Sequence, residues 1–410
     1  MRSLVLCLLC LGIGLATPRA EDWPQILGPG RDGVYRGSVK IADTWPAGGP
    51  RVVWKKTIGA GLAGPAVSGG RLFLHHRVQK EEVVEAFDAQ SGNPVWRYAY
   101  PTGYRDDFGF DEGPRAVPVV AGGRVFTYGA EGELTALDAA TGQVAWHLNA
   151  MQQFGVGKGY FGASGSPLVD GDRVLLNAGG KAKNAGIVAL DAATGKVLWT
   201  ATNHEASYSS GTMATIGGTR LAVFLTREGL VGLDPATGTV RFQQRWRARY
   251  AASVNAATPL ITGDQIFISA SYETGANLLR VGAAGALTSV WADDDTLSNH
   301  YATSVLVDGV LYGFHGRQEY SPSLRAVELK TGKVRWSEEK FGAGTVMAIG
   351  NRLLVLCEDG RLMLAPLGTP TFRPLARASV LPATVRAYPA FADGLLYLRN
   401  DRTLVALDLR

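Results

Sequence analysis

The chain has 410 residues, 46% hydrophobic and 19% charged, with 52 glycines and a formal net charge of +5. That balance excludes a disordered or fibrous chain and supplies a large apolar core threaded through many tight turns. So mild a charge argues against a nucleic-acid binder, whose basic footprint is denser.

Met1-Arg2-Ser3 precedes an apolar run from Leu4 to Leu15, so residues 1–20 read as a secretory signal peptide, with cleavage after Ala16 or Ala20. The run is too short to span a bilayer, and no transmembrane segment is expected. The protein is therefore expected to be exported, soluble in the periplasm or cell envelope. Leu9 stands before Cys10 where lipid attachment wants a small residue, which argues against a lipoprotein. Cys7 and Cys10 would leave with the signal, so Cys357 alone remains and no internal disulfide can form. Residues 21–50 read as an N-terminal strap, and residues 51–410 as a single repeat domain.

From there one phrase recurs: an acid, then Thr-Gly or Ser-Gly, then an aromatic eight positions after the acid. It reads Asp88–Gly92–Trp96, Asp138–Gly142–Trp146, Asp191–Gly195–Trp199, Asp234–Gly238–Phe242 and Glu328–Gly332–Trp336. The acid can cap a tight turn and the glycine close it; the alternating stretch that follows is a strand whose Trp is large enough to wedge between sheets. A period in the forties marks a propeller.

Eight tight turns run in phase with the phrase: Gly69-Gly70, Gly122-Gly123, Asp170-Gly171, Gly217-Gly218, Gly263-Asp264, Asp308-Gly309, Gly350-Asn351 and Asp393-Gly394. Each divides two short apolar runs, a hairpin signal. The unit is four strands, A to D, and the expected fold is all-β, an eight-bladed propeller of four-stranded antiparallel blades. The fifth unit (Leu260 to Trp291) and the seventh (Val346 to Phe372) lack the phrase but keep their hairpins. The eighth has no D strand after Thr403–Leu407. The N-terminal strand 51–55 is expected to complete it, with Trp54 in the place of the other D-strand tryptophans, closing the ring and removing a free edge.

A–B and C–D turns share one face and are short and uniform. B–C loops and D–A connections share the other face and vary, which is where function is usually placed. Candidate residues for a ligand or partner face are Arg115, Tyr160, Ser164, Asn255, Tyr272, Asn299, His300, His315 and Gln318, with Arg115, Ser164, Asn255, Asn299 and His300 expected nearest the axis. His75-His76 is not expected to bind one ion, because adjacent strand residues face opposite ways. Asp293-Asp294-Asp295 lacks calcium-loop spacing, and Gly157 to Gly162 has a dinucleotide spelling but leads into a strand rather than a helix. No catalytic residue and no metal site is assigned. Arg245-Trp246-Arg247-Ala248-Arg249, the one basic cluster with an aromatic inside it, reads as a solvated connection, and no nucleic-acid partner is expected.

The segment Leu137 to Trp146 resembles the repeat of pyrroloquinoline-quinone-like (PQQ-like) β-propellers. Asp22-Trp23-Pro24-Gln25, Arg31-Asp32-Gly33, Gly113-Pro114-Arg115, Ser164-Gly165-Ser166-Pro167 and Asn299-His300 are similar to segments of exported bacterial propellers of this kind. One branch comprises quinoprotein dehydrogenases; another resembles the propeller subunit of the outer-membrane barrel-assembly machinery, which binds proteins and no cofactor. The adjacent cysteine pair of many alcohol dehydrogenases is missing here, as is a haem-attachment motif. The leading expectation is a non-catalytic propeller binding an envelope protein or polymer, without cofactor. The alternative is an oxidoreductase of alcohols or sugars, with PQQ held by Arg115, Lys158, Lys181 and Arg317 and calcium by Asn299, Glu273 or Asp293. A third reading makes His300, His315, Tyr272 and Arg115 the acid, base and charge clamp of a polysaccharide-active enzyme.

Overall fold

A computed structural model describes residues 22–251 and 253–410; the signal-peptide expectation lies outside them. Eight antiparallel sheets follow one another around a ring. Blade 1 is built from Ala66–Ser68, Arg71–Val78, Glu81–Asp88 and Pro94–Pro101, and blade 2 from Val119–Ala121, Arg124–Tyr128, Glu133–Asp138 and Val144–Asn149. Blades 1 to 6 pair their four strands in sequence order, with the A strand innermost; blade 7 carries Val34–Tyr35 inside its A strand, and blade 8 takes its outer strand from the N-terminal part of the chain. Blade 8 closes as expected: Arg51–Thr57 lies antiparallel to Thr403–Asp408, with Trp54 opposite Ala406. Among the described residues no helix is long and apolar enough to cross a membrane.

The repeated phrase is an interlock between neighbouring blades. Trp96 of blade 2's predecessor donates its Nε1–H to the Ala139 carbonyl, in the turn of blade 2, at 3.1 Å. The same bond joins Trp54 to Ala89 (2.9 Å), Trp146 to Ala192 (3.0 Å), Trp199 to Pro235 (3.1 Å) and Trp291 to Leu329 (2.7 Å). The acceptor residue always follows the phrase's acid. That acid folds the turn: Asp138 Oδ1 accepts from the Thr141 N–H at 2.8 Å and the Thr141 hydroxyl at 2.9 Å. Asp191 does the same with Thr194. Glycine is required for two reasons at once. At Gly142 φ is +74°, and a Cβ would lie 2.6 Å from the Trp96 ring.

Where the phrase is lost, the interlock changes. Blade 5 has no such turn, and the side chain facing it from blade 4 is Phe242, which brings no N–H to satisfy. Blade 7 also lacks the turn, yet Trp336 remains, and its buried Nε1–H has no partner among the described residues. Phe372 covers it instead, with ring centroids 5.7 Å apart. This corrects the seventh unit's limits: Phe372 precedes its last strand, which is Ala376–Ser379, because the aromatic fills the gap left by the absent turn.

Residues 22–35 cross the bore of the ring. Trp23 exchanges two backbone bonds with Val67 of blade 1, and Pro24 O accepts from Val120 N of blade 2 at 2.8 Å. Val34–Tyr35 runs parallel to the inner strand of blade 7. Between them Arg31, 2% exposed, donates to the carbonyls of Gly211 and Pro167 and to Gln25 Oε1. Burial with no carboxylate partner pulls its pKa down to about 9. The bore is therefore a funnel closed at one end.

Candidate functional site

The funnel opens on the variable face, with a cavity of about 200 Å³. One register position builds most of its wall. The residue four places before the A strand lines it in every blade but the seventh: Leu62, Arg115, Ser164, Tyr208, Ala256, Tyr301 and Arg386. Tyr272, Gln318 and Glu319 enter from B–C loops, Phe110 from the 104–115 insertion, and Ile26 from the strap. These positions converge because each lies in the lead-in at the same distance before an innermost A strand.

The insertion is organised by Asp106. Its carboxylate accepts from the N–H groups of Phe108 (2.9 Å), Phe110 (2.9 Å) and Asp111 (3.0 Å), and from Arg115 Nη2 at 3.1 Å. Burial alone would raise this acid's pKa, but the bonds from Asp111 and Phe108 and the Arg115 charge outweigh it, and the shift is downward. The loop so held presents Phe108 and Phe110 about half exposed. They stack on each other and pack at a tilt against Phe161, whose centroid lies 5.3 Å from Phe108 and 6.1 Å from Phe110.

Charges at the mouth are paired within the protein. Arg115 lies on Asp106, Arg386 on Glu358 at 2.8 Å, Arg317 on Glu319 at 3.2 Å, Lys158 on Asp107 at 2.6 Å and Arg227 on Glu205 at 3.1 Å. The guanidinium groups also sit over aromatic rings: Arg317 is 4.6 Å from the Tyr272 centroid, Arg386 5.5 Å from Phe110 and Arg115 5.6 Å from Phe161.

His300 and Tyr272 share a 2.8 Å hydrogen bond. Burial, aided by Arg317 and Arg386 against Glu319, brings His300 down to about 4, so the ring is neutral at pH 7. Burial raises Tyr272 to about 12. Tyr272 and Glu273 both have left-handed backbones, φ +67° and +57°. That costs roughly 1–2 kcal/mol per residue and fixes where the phenol points. Ser164 Oγ bonds the Gly162 carbonyl at 3.5 Å. The wall thus offers aromatic faces and uncharged donors and acceptors.

Of the nine residues singled out from sequence, Arg115, Ser164, Tyr272, His300 and Gln318 meet in the funnel. Four do not. Asn255 is buried, its Nδ2 donating to the Thr226 and Trp246 carbonyls, and Asn299 likewise bonds the Phe314 carbonyl. Neither stands at the funnel register held by Ala256 and Tyr301, and backbone carbonyls of the blade claim both side chains. His315 accepts from Ser298 N at 3.1 Å outside the funnel, so it forms no acid–base pair with His300. Tyr160 lies in a neighbouring cleft of about 760 Å³ beneath the Gly155–Tyr160 loop. Phe161, Tyr301, Arg386 and Tyr388 were not singled out, although aligning lead-ins on the tight turns exposes Tyr301 and Arg386.

The donor set does not fit PQQ and calcium. Three carboxylates of the quinone need cations, and Arg115, Lys158, Lys181 and Arg317 are already paired with Asp106, Asp107, Glu205 and Glu319. Asn299 is spent on Phe314 and Ser304, Glu273 on Tyr250, and Asp293 on Asp295 and Thr296. Among the described residues no three His, Cys, Asp or Glu are grouped to hold a metal. His75 and His76 face opposite ways, toward Glu82 and Glu85 respectively.

The fold and repeat define a PQQ-like propeller. Residues 79–338 match the family described as outer membrane protein assembly factor BamB, and the chain belongs to that family. It is 24% identical over 329 residues to the BamB of Moranella endobia, covering 77% of this chain and 69% of that protein. A quinohemoprotein alcohol dehydrogenase of Comamonas testosteroni is 33% identical over 123 residues, 28% of this chain and 16% of the enzyme. The structure of that enzyme superposes with a TM-score of 0.67 at 17% identity, covering 95% of this chain and 80% of the other. BamB from Moraxella catarrhalis superposes with a TM-score of 0.64 at 15% identity, covering 88% and 99%.

Proposed function

We propose that the protein is a non-catalytic propeller of the cell envelope that docks a protein or polymer partner on the funnel face, in the manner of an outer-membrane assembly factor. Membership of the BamB family supports the setting. The observation that carries the reading is the funnel itself: aromatic walls, a closed floor, and charged groups neutralised by internal partners. Such a surface offers contact area and fixed hydrogen-bonding groups. Its His300–Tyr272 pair is poorly poised for proton transfer near pH 7, since His300 is pulled down to about 4 and Tyr272 pushed up to about 12.

Site-specific photo-crosslinking in intact cells tests it. A photoreactive residue at Tyr320, 75% exposed on the funnel rim, should yield discrete adducts. One at Asp172, on the tight-turn face, should yield none of them. Identical adducts from both positions, or none from Tyr320, would remove the support for a docking face.

A further inference from the structure

We propose that the funnel receives the terminal sugar ring of an uncharged polysaccharide. The inference rests on the docking role above and names its ligand class. Three observations converge on it.

The first is the shape of the apolar surface. Phe110, 51% exposed, and Phe161 line the mouth as aromatic rings rather than flexible aliphatic chains. A pyranose has a C–H face that stacks on such rings and a rim of hydroxyls that need partners. The Tyr272 hydroxyl and the Gln318 side chain supply uncharged polar groups close by, with His300 holding the Tyr272 phenol at 2.8 Å. The second is charge. Arg115 and Arg386 are held by Asp106 and Glu358, so an acidic polymer meets cations whose charge is already neutralised. A neutral ligand leaves these pairs intact. The third is the floor. Ile26 and the strap close the bore, so a chain cannot thread through; a cavity of about 200 Å³ admits an end.

A peptide is the competing occupant, and the sheets argue against it. Peptides that add to a propeller blade pair with a free strand edge. The free edges here are the outer D strands, such as Val144–Asn149 and Val197–Ala201, away from the axis.

Isothermal titration of the full chain with neutral hexasaccharides (β-1,4-linked glucose, mannose, xylose and N-acetylglucosamine, and α-1,4-linked glucose), with polygalacturonate as the acidic probe, tests the assignment. At least one neutral probe should bind saturably, equally at low and high salt, since no net charge is neutralised. Phe110→Ala should weaken it about tenfold, and Phe110→Leu, which keeps apolar bulk but loses the ring, nearly as much. A probe blocked at its non-reducing end should lose binding if that end enters; blocking the reducing end should then have no effect. Failure of every neutral probe, a preference for polygalacturonate, or binding indifferent to both Phe110 variants would overturn the proposal. Adducts at Tyr320 persisting without any sugar binding would overturn the ligand class alone; loss of both would overturn the docking face with it.

Discussion

The two faces of the ring follow opposite rules. On the tight-turn face five interlocks repeat one geometry, with the indole N–H 2.7–3.1 Å from the carbonyl after the phrase's acid. On the funnel face the same register position carries Leu62, Arg115, Ser164, Tyr208, Ala256, Tyr301 and Arg386, and no two adjacent blades agree. Repetition records what each blade needs from its neighbour. Its absence records what the ring presents to something else. Trp336 sharpens the contrast: where the turn has gone, its N–H is left without a partner among the described residues and Phe372 fills the space.

If that division holds, the largest single effect lies at the closure. Trp54 is buried, bonds Ala89 and packs 5.9 Å from Tyr397, joining the two ends of the chain. Trp54→Ala should cost about 3–5 kcal/mol in urea unfolding; a melting curve like the parent's would break the closure model. Next comes an effect on the funnel side. His300 falls from 6.5 unfolded to about 4 folded, so the unfolded chain binds the extra proton between those values. Stability is full above pH 6.5 and declines as pH falls toward 4, by about 3 kcal/mol for this group. His300→Gln should flatten that part of the pH–stability profile, and an unchanged slope would show that the ring is not buried neutral.

A paired glycine test separates backbone strain from the interlock. Gly142→Ala adds a methyl 2.6 Å from Trp96 and should cost about 2–3 kcal/mol. Gly122→Ala has a similar positive φ but open space, and should cost about 1 kcal/mol. Equal losses would mean that the indole contact contributes nothing. The smallest effect is the most discriminating. Trp146→Phe removes a bonded N–H and should cost about 1 kcal/mol. Trp336→Phe removes an unpartnered one and should be neutral or slightly stabilising.

The scaffold was legible because its constraints are local and repeated. Asp138, Thr141, Gly142 and Trp146 lie within nine residues, and each is needed for a turn or an interblade contact that recurs. Strand 51–55 could be placed by what the eighth unit lacked. The funnel was half legible. Arg115, His300, Asn255 and Asn299 were all found by their place before an A strand, but the amides of Asn255 and Asn299 are drawn into the blade by backbone carbonyls of Thr226, Trp246 and Phe314. Arg386 carries no motif and only its register reveals it; Tyr388 has neither motif nor register. Phe161 and Ile26 reach the mouth through loop geometry that no periodicity encodes, and the strap's path across the bore depends on contacts with blades 1, 2 and 7.

The division of labour is tested most directly by measuring melting temperature and Tyr320 photo-crosslinking together in Phe110→Ala and Gly142→Ala, at a temperature where both are folded. Phe110 is half exposed, so its loss should leave the melting temperature within the error and abolish the adducts. Gly142→Ala should lower the melting temperature and leave the adducts as in the parent. Adducts that survive Phe110→Ala, or that vanish in a folded Gly142→Ala protein, would contradict the account.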